Sequence, residues 1–307
     1  MSTFGRVLGA FALAAVLPAC HGDRFFDEIT WYVDPAFGDD FHGDGSRHFP
    51  FRSMTRALRF AISGDALLLA PGNYSSATGE VFPIFVKPGV IIQGDPATRG
   101  LGPAATSVTG GGVYTVAGGS QVNTTVTAAF LMGNNSALSG VRISVSGAGG
   151  VAVVFDGFGA SLSSCTLTGN GGSGVRIYQT GTPSITNNVI TASGGNGIEI
   201  HDGAGAILRQ NSITANGGDG VVANNTSVPN LGDGGSAGAN TIDGNTGVGL
   251  NNNTTASTIQ AVGNTWRAST QGSNASGNYA AALTPGPVAP AAGNNFAITN
   301  GAAAIQF

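Results

Sequence analysis

One phrase returns about every 23 residues through the second half of the chain. It reads CTLTGNGGSGVRI from Cys165, NVITASGGNGIEI from Asn188, NSITANGGDGVVA from Asn211 and NTIDGNTGVGL from Asn240. The aligned apolar residues are Ile143, Leu167, Ile190, Ile213, Ile242 and Trp266, and the aligned glycines are Gly150, Gly174, Gly197, Gly220 and Gly247. A repeat of this length is one turn of a solenoid, whose units cannot bury an apolar face alone and must stack on their neighbours. Within one unit, Val189-Ile190-Thr191 and Ile198-Glu199-Ile200 read as short strands joined by Gly and Asn turns. No apolar stripe with the helical period runs through this region. The pattern predicts an all-β fold, a single-stranded parallel β-helix.

Strand alternation turns Ile198 and Ile200 inward and Glu199 outward. Asn188, Asn211, Asn240 and Asn264 each stand two residues before an aligned apolar residue. Stacked coils lie about 4.8 Å apart, so these side chains are expected to pair up the stack as an interior amide ladder. Cys165 takes that place in the preceding coil as a small buried filler. The longer coil between Asn211 and Asn240 holds an insertion at residues 228–239 (VPNLGDGGSAGA), read as a loop bulging from the solenoid.

The same register produces the main candidate site. Arg176 and Glu199 lie two residues after their aligned glycines, and Tyr178 and His201 lie four after. All four should face outward from neighbouring coils, with Asn224 and Asn251 extending the second column and Asp202 at the following turn. An aromatic ring, a carboxylate, a guanidinium and an imidazole together suit a sugar that stacks and hydrogen-bonds. The competing reading is an Arg–Glu cross-strand pair beside an exposed Tyr.

Net charge is −4 and charged residues make up 9% of the chain, with no basic patch, so nucleic acid is not an expected partner. From Leu101 onward there are six acidic and four basic residues, which leaves the coils nearly uncharged. Glycoside hydrolysis normally needs two carboxylates about the scissile bond. A lyase needs a base, plus Ca²⁺ or Arg to neutralise a uronate carboxyl. The repeat strands offer one outward carboxylate, Glu199, with Asp202 beside it. A non-catalytic surface protein that binds glycan or another surface polymer is therefore expected first. The alternative is a polysaccharide lyase or glycoside hydrolase acting on an acidic polysaccharide, with Glu199, His201 and Asp202 in the chemistry and Arg176 on the uronate.

The first residues are a targeting segment. Arg6 precedes the apolar run VLGAFALAAVL from Val7, which is too short to span a membrane. Leu17-Pro18-Ala19-Cys20 follows and resembles a bacterial lipobox. That resemblance implies a signal peptide over residues 1–19, lipidation of Cys20 and a tether over 20–30. His21 after Cys20 implies passage to the outer membrane. The alternative is an ordinary secretory signal in which Cys20 is incidental. With Cys20 acylated, Cys165 has no partner for an intramolecular disulfide.

Trp31 to Asp34 reads as a strand, and residues 35–50 (PAFGDDFHGDGSRHFP) as a Gly/Asp-rich loop. Asp34, Asp39, Asp40 and Asp44, with His42 among them, either hold Ca²⁺ through oxygen ligands or cap backbone NH groups of their own turns. No other cofactor is expected. Ser53 is placed to cap a helix whose apolar face is Met54, Ala57, Leu58, Ala61 and Ile62. Strands are expected at Ala66 to Ala70, Phe82 to Val86 and Val90 to Gln93. The run Tyr32-Val33-Asp34, Gly38-Asp39-Asp40, Gly45, Pro50-Phe51, Gly64-Asp65 and Pro71-Gly72-x-Tyr74 resembles the N-terminal signature of DUF1565 proteins. The resemblance covers residues 31–130 and implies a right-handed β-helix whose open bottom is covered by the helix; it implies no activity. Generic repeats follow over 131–275. A Pro- and Ala-rich C-terminal cap or tail occupies 276–307, where Phe296-Ala297-Ile298 is placed to add a last strand.

Overall fold

The computed structural model describes residues 28–254 and 258–266, with the strand segments Leu283–Thr284, Phe296–Ile298 and Ile305–Gln306. The signal peptide over 1–19, Cys20, most of the tether and most of 276–307 lie outside the described residues.

The chain is an all-β, right-handed parallel β-helix in which successive coils add one short strand to each of three parallel sheets. The first sheet runs from Thr30–Val33 to Ile207–Arg209, the second from Gly72–Ser75 to Thr265–Trp266, and the third from Ile84–Val86 to Phe296–Ile298. Corners are made by single residues in the left-handed region, repeated once per coil. Gln179, Asp202 and Asn225 have φ of 60°, 59° and 58° at one corner; Ser164, Asn187 and Gln210 have 51°, 59° and 58° at another. Asn, Asp and Gln tolerate or bond locally in this conformation better than β-branched residues do, which explains where the repeat keeps its polar turns.

The predicted apolar column is paired rung on rung: Ile143, Leu167, Ile190, Ile213, Ile242 and Trp266 are successive parallel partners. The amide ladder is also present. Asn188 Nδ2 and its backbone N both donate to Asn211 Oδ1 at 3.1 and 3.0 Å, and Asn211 repeats both bonds to Asn240 at 3.0 and 2.9 Å. Each Nδ2 also donates to a backbone carbonyl one corner away, Leu162 or Ile185. Each buried amide thereby satisfies groups that an aliphatic side chain would leave unpaired. Cys165 is buried at the foot of this ladder, its backbone N donating to Asn188 Oδ1 at 2.9 Å. Burial pushes the Cys165 thiol up to about 12. A second, shorter ladder lies five residues further on: Ser193 N donates to Asn216 Oδ1 at 3.1 Å and Asn216 Nδ2 to Asn245 Oδ1 at 2.9 Å, while Asn170 in the same column accepts from Val145 N and its Nδ2 is buried without a partner.

The glycine register holds only for Gly174, Gly197 and Gly220. Val153 pairs with Val175, and Val221 with Leu250, so Ala152 and Gly249 take the places expected for Gly150 and Gly247. Both slips are of two residues and fall where the coil length departs from 23. The 228–239 insertion is only partly a bulge. Asn230 bridges to Ile207 and Gln260 and so carries the first sheet onward, and Leu231 is buried; the exposed tip is confined to residues 234–237.

At the bottom, the helix Met54–Phe60 buries Met54, Ala57 and Leu58 against the first coil, with Ala61 just beyond its end. Ile62, expected on that face, is instead exposed. Ser53 Oγ caps Arg56 N at 3.0 Å. The buried Glu80 carboxylate accepts from Met54 N at 2.7 Å, Thr55 N at 3.0 Å and the Thr55 hydroxyl at 2.8 Å. Burial raises the Glu80 pKa despite these bonds. At the other end, Phe296–Ile298 pairs in parallel with Leu250 to Asn252 on the third sheet, as the sequence suggested.

Candidate functional site

The outer face of the third sheet gathers the residues singled out in the repeats. Strand Val175–Tyr178 pairs with Ile198–Ile200 so that Arg176 lies opposite Glu199. The Tyr178 and His201 rings stack with centroids 5.4 Å apart and an interplanar angle of 20°. Neighbourhood in the patch is thus as the register predicted. Its exposure is not: Tyr178 is 1% and His201 8% accessible, although both project outward from the coil.

The cover is a flap that leaves the third sheet. Gly112–Thr115 runs antiparallel to the first half of Thr125–Met132, and Gly119–Gln121 makes a short turn between them. Val116 and Val126 on the flap pack with Ala128, Val151, Val154 and Tyr178, forming a second apolar cluster outside the coil wall. Two carboxylates latch it. Asp156 accepts the Tyr114 hydroxyl, the Ala117 backbone N at 3.0 Å and the Gln179 amide. Asp202 accepts Ser120 N at 3.1 Å and Asn225 Nδ2 at 2.8 Å, and Asn225 Nδ2 also reaches Ser120 Oγ at 2.7 Å. Gly119 has φ 73°, and a Cβ there would lie 2.5 Å from the Asp202 carboxylate, so the close approach of flap to coil needs glycine.

Beside the flap, Glu199 is fully engaged. Its Oε2 accepts Ser173 Oγ at 2.8 Å and Arg176 Nε at 2.9 Å, and its Oε1 is 3.4 Å from His201 Nε2. Burial alone would raise this carboxyl; His201, the Arg176 guanidinium and the Ser173 hydroxyl outweigh burial and hold it at about 2. Such a group is a carboxylate at any ordinary pH and a weak base, the opposite of a poised acid. His201 Nδ1 is buried without a hydrogen-bond partner. Further along the face, Val222 lies opposite Asn251 and Asn224 opposite Asn253. The slipped register therefore puts Asn251 in the Arg176–Glu199 column, and Asn253 rather than Asn251 extends the Tyr178–His201 column.

Asp156 belongs to this face and was not expected there. It lies opposite Tyr178 and is 5% accessible. Aligning Val153-Val154-Phe155-Asp156 with Val175-Arg176-Ile177-Tyr178, rather than Gly150 with Gly174, would have placed it.

The acidic loop is put together differently. Asp34 Oδ1 accepts Ala36 and Phe37 N at 2.8 and 3.0 Å, Asp39 Oδ1 accepts Phe41 N at 2.7 Å, and Asp44 Oδ1 accepts Ser46 N at 2.8 Å. Asp40 accepts Arg52 and Ser53 N at 2.8 and 3.0 Å and the Ser53 hydroxyl at 2.6 Å. His42 hydrogen-bonds to Asp39 and, with the turn NH groups, pulls that carboxyl down to about 2. Each carboxylate thus caps a separate piece of backbone. Among the described residues no three His, Cys, Asp or Glu side chains converge to hold a metal ion, so this donor set does not fit the Ca²⁺ considered for the loop.

The family model described as "Protein of unknown function (DUF1565)" matches residues 36–271, well beyond the 31–130 over which the signature was read. No curated protein matches the chain. Among solved structures, the chain is similar to the GH136 lacto-N-biosidase from Eubacterium ramulus, with 14% identity, a TM-score of 0.44 and coverage of 74% of this chain and 56% of that one. It is similar to the pectate lyase Pel9A, with 16% identity, a TM-score of 0.43 and coverage of 88% and 62%. It is also similar to the A-module of the Azotobacter vinelandii mannuronan C-5 epimerase AlgE4, with 16% identity, a TM-score of 0.35 and coverage of 64% and 68%. The chain spans 56% and 62% of the first two of these proteins. At such identities and TM-scores no activity is carried over from these proteins to this chain. The chain belongs to the DUF1565 family, whose function is unknown.

Proposed function

We propose that this chain is an envelope-anchored, non-catalytic β-helix protein that binds glycan or another surface polymer, held by a lipid on Cys20 and exported to the outer membrane. One observation carries the non-catalytic part: among the described residues the carboxylates Asp156, Glu199 and Asp202 on the outer face of the third sheet are all hydrogen-bonded, and Asp156 and His201 are buried. Asp156 and Asp202 latch the flap, Glu199 is neutralised by Arg176, and His201 is stacked under cover. A group tied up in this way is not positioned to take or give a proton in a transition state. What the face leaves partly open is the Arg176–Glu199 pair and the amides of Asn224, Asn251 and Asn253. Amide and guanidinium donors in a row on a rigid wall suit a hydroxyl-rich polymer.

A glycan array tests this reading. Binding that weakens in an Asn224→Ala, Asn253→Ala double variant supports it, and no binding at millimolar sugar sinks the polymer-binding role. Palmitate labelling that persists in Cys20→Ala would refute the anchor.

The alternative, a polysaccharide lyase or glycoside hydrolase acting on an acidic polysaccharide, has one observation in its favour. Asp156, Glu199 and Asp202 share a face, and two coils plus two residues along the strand separate Asp156 from Glu199, about 12 Å between their backbones. That is wider than the spacing of an inverting carboxylate pair. Chemistry there would require the flap to leave, because Tyr114 occupies Asp156.

A further inference from the structure

Exposed phenylalanines are concentrated at the bottom of the solenoid. Phe37, Phe41 and Phe49 are 88%, 91% and 65% accessible, and all lie in the loop between Asp34 and Phe51. Phenylalanines on the coils are less bare, with Phe85 45% and Phe158 41% accessible. Scattered residues need no explanation, whereas three nearly bare aromatic rings on one loop do.

The loop forms the underside of the molecule. Strand Thr30–Val33 is the outermost strand of the first sheet, and the loop closes its free side through Tyr32 N to Gly45 O at 2.8 Å and Phe51 N to Tyr32 O at 3.0 Å. The loop is also stiff: Asp34 and Asp39 cap the backbone N of Phe37 and Phe41 themselves. The rings are thus held out in water by a preorganised backbone rather than left there by a loose one.

We propose that this underside rests in the interfacial layer of the bilayer, with Phe37, Phe41 and Phe49 inserted and the solenoid standing away from the surface. The proposal rests on the anchor reading of Cys20. Cys20 and Glu28 are eight residues apart, and an extended chain spans at most about 3.6 Å per residue, so a lipid on Cys20 keeps the cap within about 30 Å of the membrane. The chain enters at the end that carries the rings. Lipid is favoured over a second copy of the chain because Asp39, His42, Asp44 and Arg47 are exposed between the rings. A dry protein contact would have to desolvate those charges, whereas at a wet interface the rings enter and the charges stay hydrated. A weak contact on the same body as the anchor is made at high effective concentration and so adds to the attachment.

The test uses the full-length protein purified with its anchor and reconstituted in phosphatidylcholine–phosphatidylglycerol vesicles with brominated acyl chains. Emission from Phe41→Trp and, independently, Phe37→Trp is compared with Phe158→Trp on the coil wall, each after subtraction of the wild-type signal from Trp31 and Trp266. The expected result is a blue shift and several-fold stronger quenching for the two loop positions than for position 158. Equal quenching at all three positions, or none at the loop, overturns the proposal. A blue shift without quenching that grows with protein concentration indicates self-association and also overturns it. Mass measurement of the anchor separates the two readings: an unacylated Cys20 removes the tether, and loop quenching in that same protein still decides whether the underside meets lipid.

Discussion

The coils from Ser161 to Thr254 and the segment before them bury polar groups in opposite ways. In the coils the recurring buried polar groups are amides, and those of Asn188, Asn211 and Asn240 each bond to their own image in the next coil. In the N-terminal half they include carboxylates, each at a place that does not recur: Glu80 on the helix start, Asp65 on Trp31 and Ile62 beyond the helix end, Asp156 on the flap. A ladder of neutral amides can be extended indefinitely because every rung both donates and accepts. A carboxylate only accepts, so it suits a place where several NH groups converge and the pattern stops. The repeat builds the wall, and the single-use carboxylates attach the parts that close and cover it.

The sharpest way to break this contrast is inside the ladder. Asn211→Ala strands the Asn188 NH and the Ile185 carbonyl in the core. A loss of about 4 kcal/mol is expected in urea unfolding, and a change below 1 kcal/mol would show that the ladder is incidental.

Glu199 comes next, through pH. Its carboxyl is held at about 2 against an ordinary 4.5. A depressed folded value means the stabilisation is present above about pH 4.5 and is lost as pH falls towards 2, on the order of 3 kcal/mol in all. Unfolding measured across that window should show the fall in wild type and a flatter limb in Glu199→Gln.

A smaller effect is expected at the flap. Tyr114→Phe removes a hydrogen bond to the Asp156 carboxylate, which should cost about 2 kcal/mol. Hydrogen exchange should speed up over residues 112–126 while the coil strands stay protected. Exchange that rises equally in both would mean the flap and the coils unfold as one unit.

The smallest effect lies at the corners. Ala215 is exposed and has φ 54°; the coil before it uses Ala192 at φ 53°, whereas the next coil uses Gly244 and the coil two before uses Gly169. Ala215→Gly relieves that strain and should gain about 1 kcal/mol. A loss would show that the corner is not strained.

What was legible in the sequence follows the same division. The Ile143–Trp266 column and the Asn188–Asn264 ladder were readable because stacking forces equivalent residues into contact, and periodicity records stacking. The second column, Asn170, Ser193, Asn216 and Asn245, is just as periodic, but it lies among the Gly-rich turns and carries a Ser in one coil, so the repeat marks it less clearly. Register also gave the facing of Arg176, Tyr178, Glu199 and His201, because side-chain alternation is a local property. Their burial was not readable. It depends on residues 112–126, which repeat nothing and lie more than fifty positions before Tyr178. Asp156 was missed for a related reason: Gly150 mimics the repeat glycine but is two residues out of register.

Depolymerisation tests the account's central claim most directly. Wild-type protein and Glu199→Gln are incubated with acidic and neutral polysaccharides, and release of reducing ends and of unsaturated uronate is followed. The occupied and covered outer face predicts no product from either protein, with glycan binding retained by wild type. Product released by wild type and lost in Glu199→Gln would contradict it, and would identify the flap as a gate over a working active site.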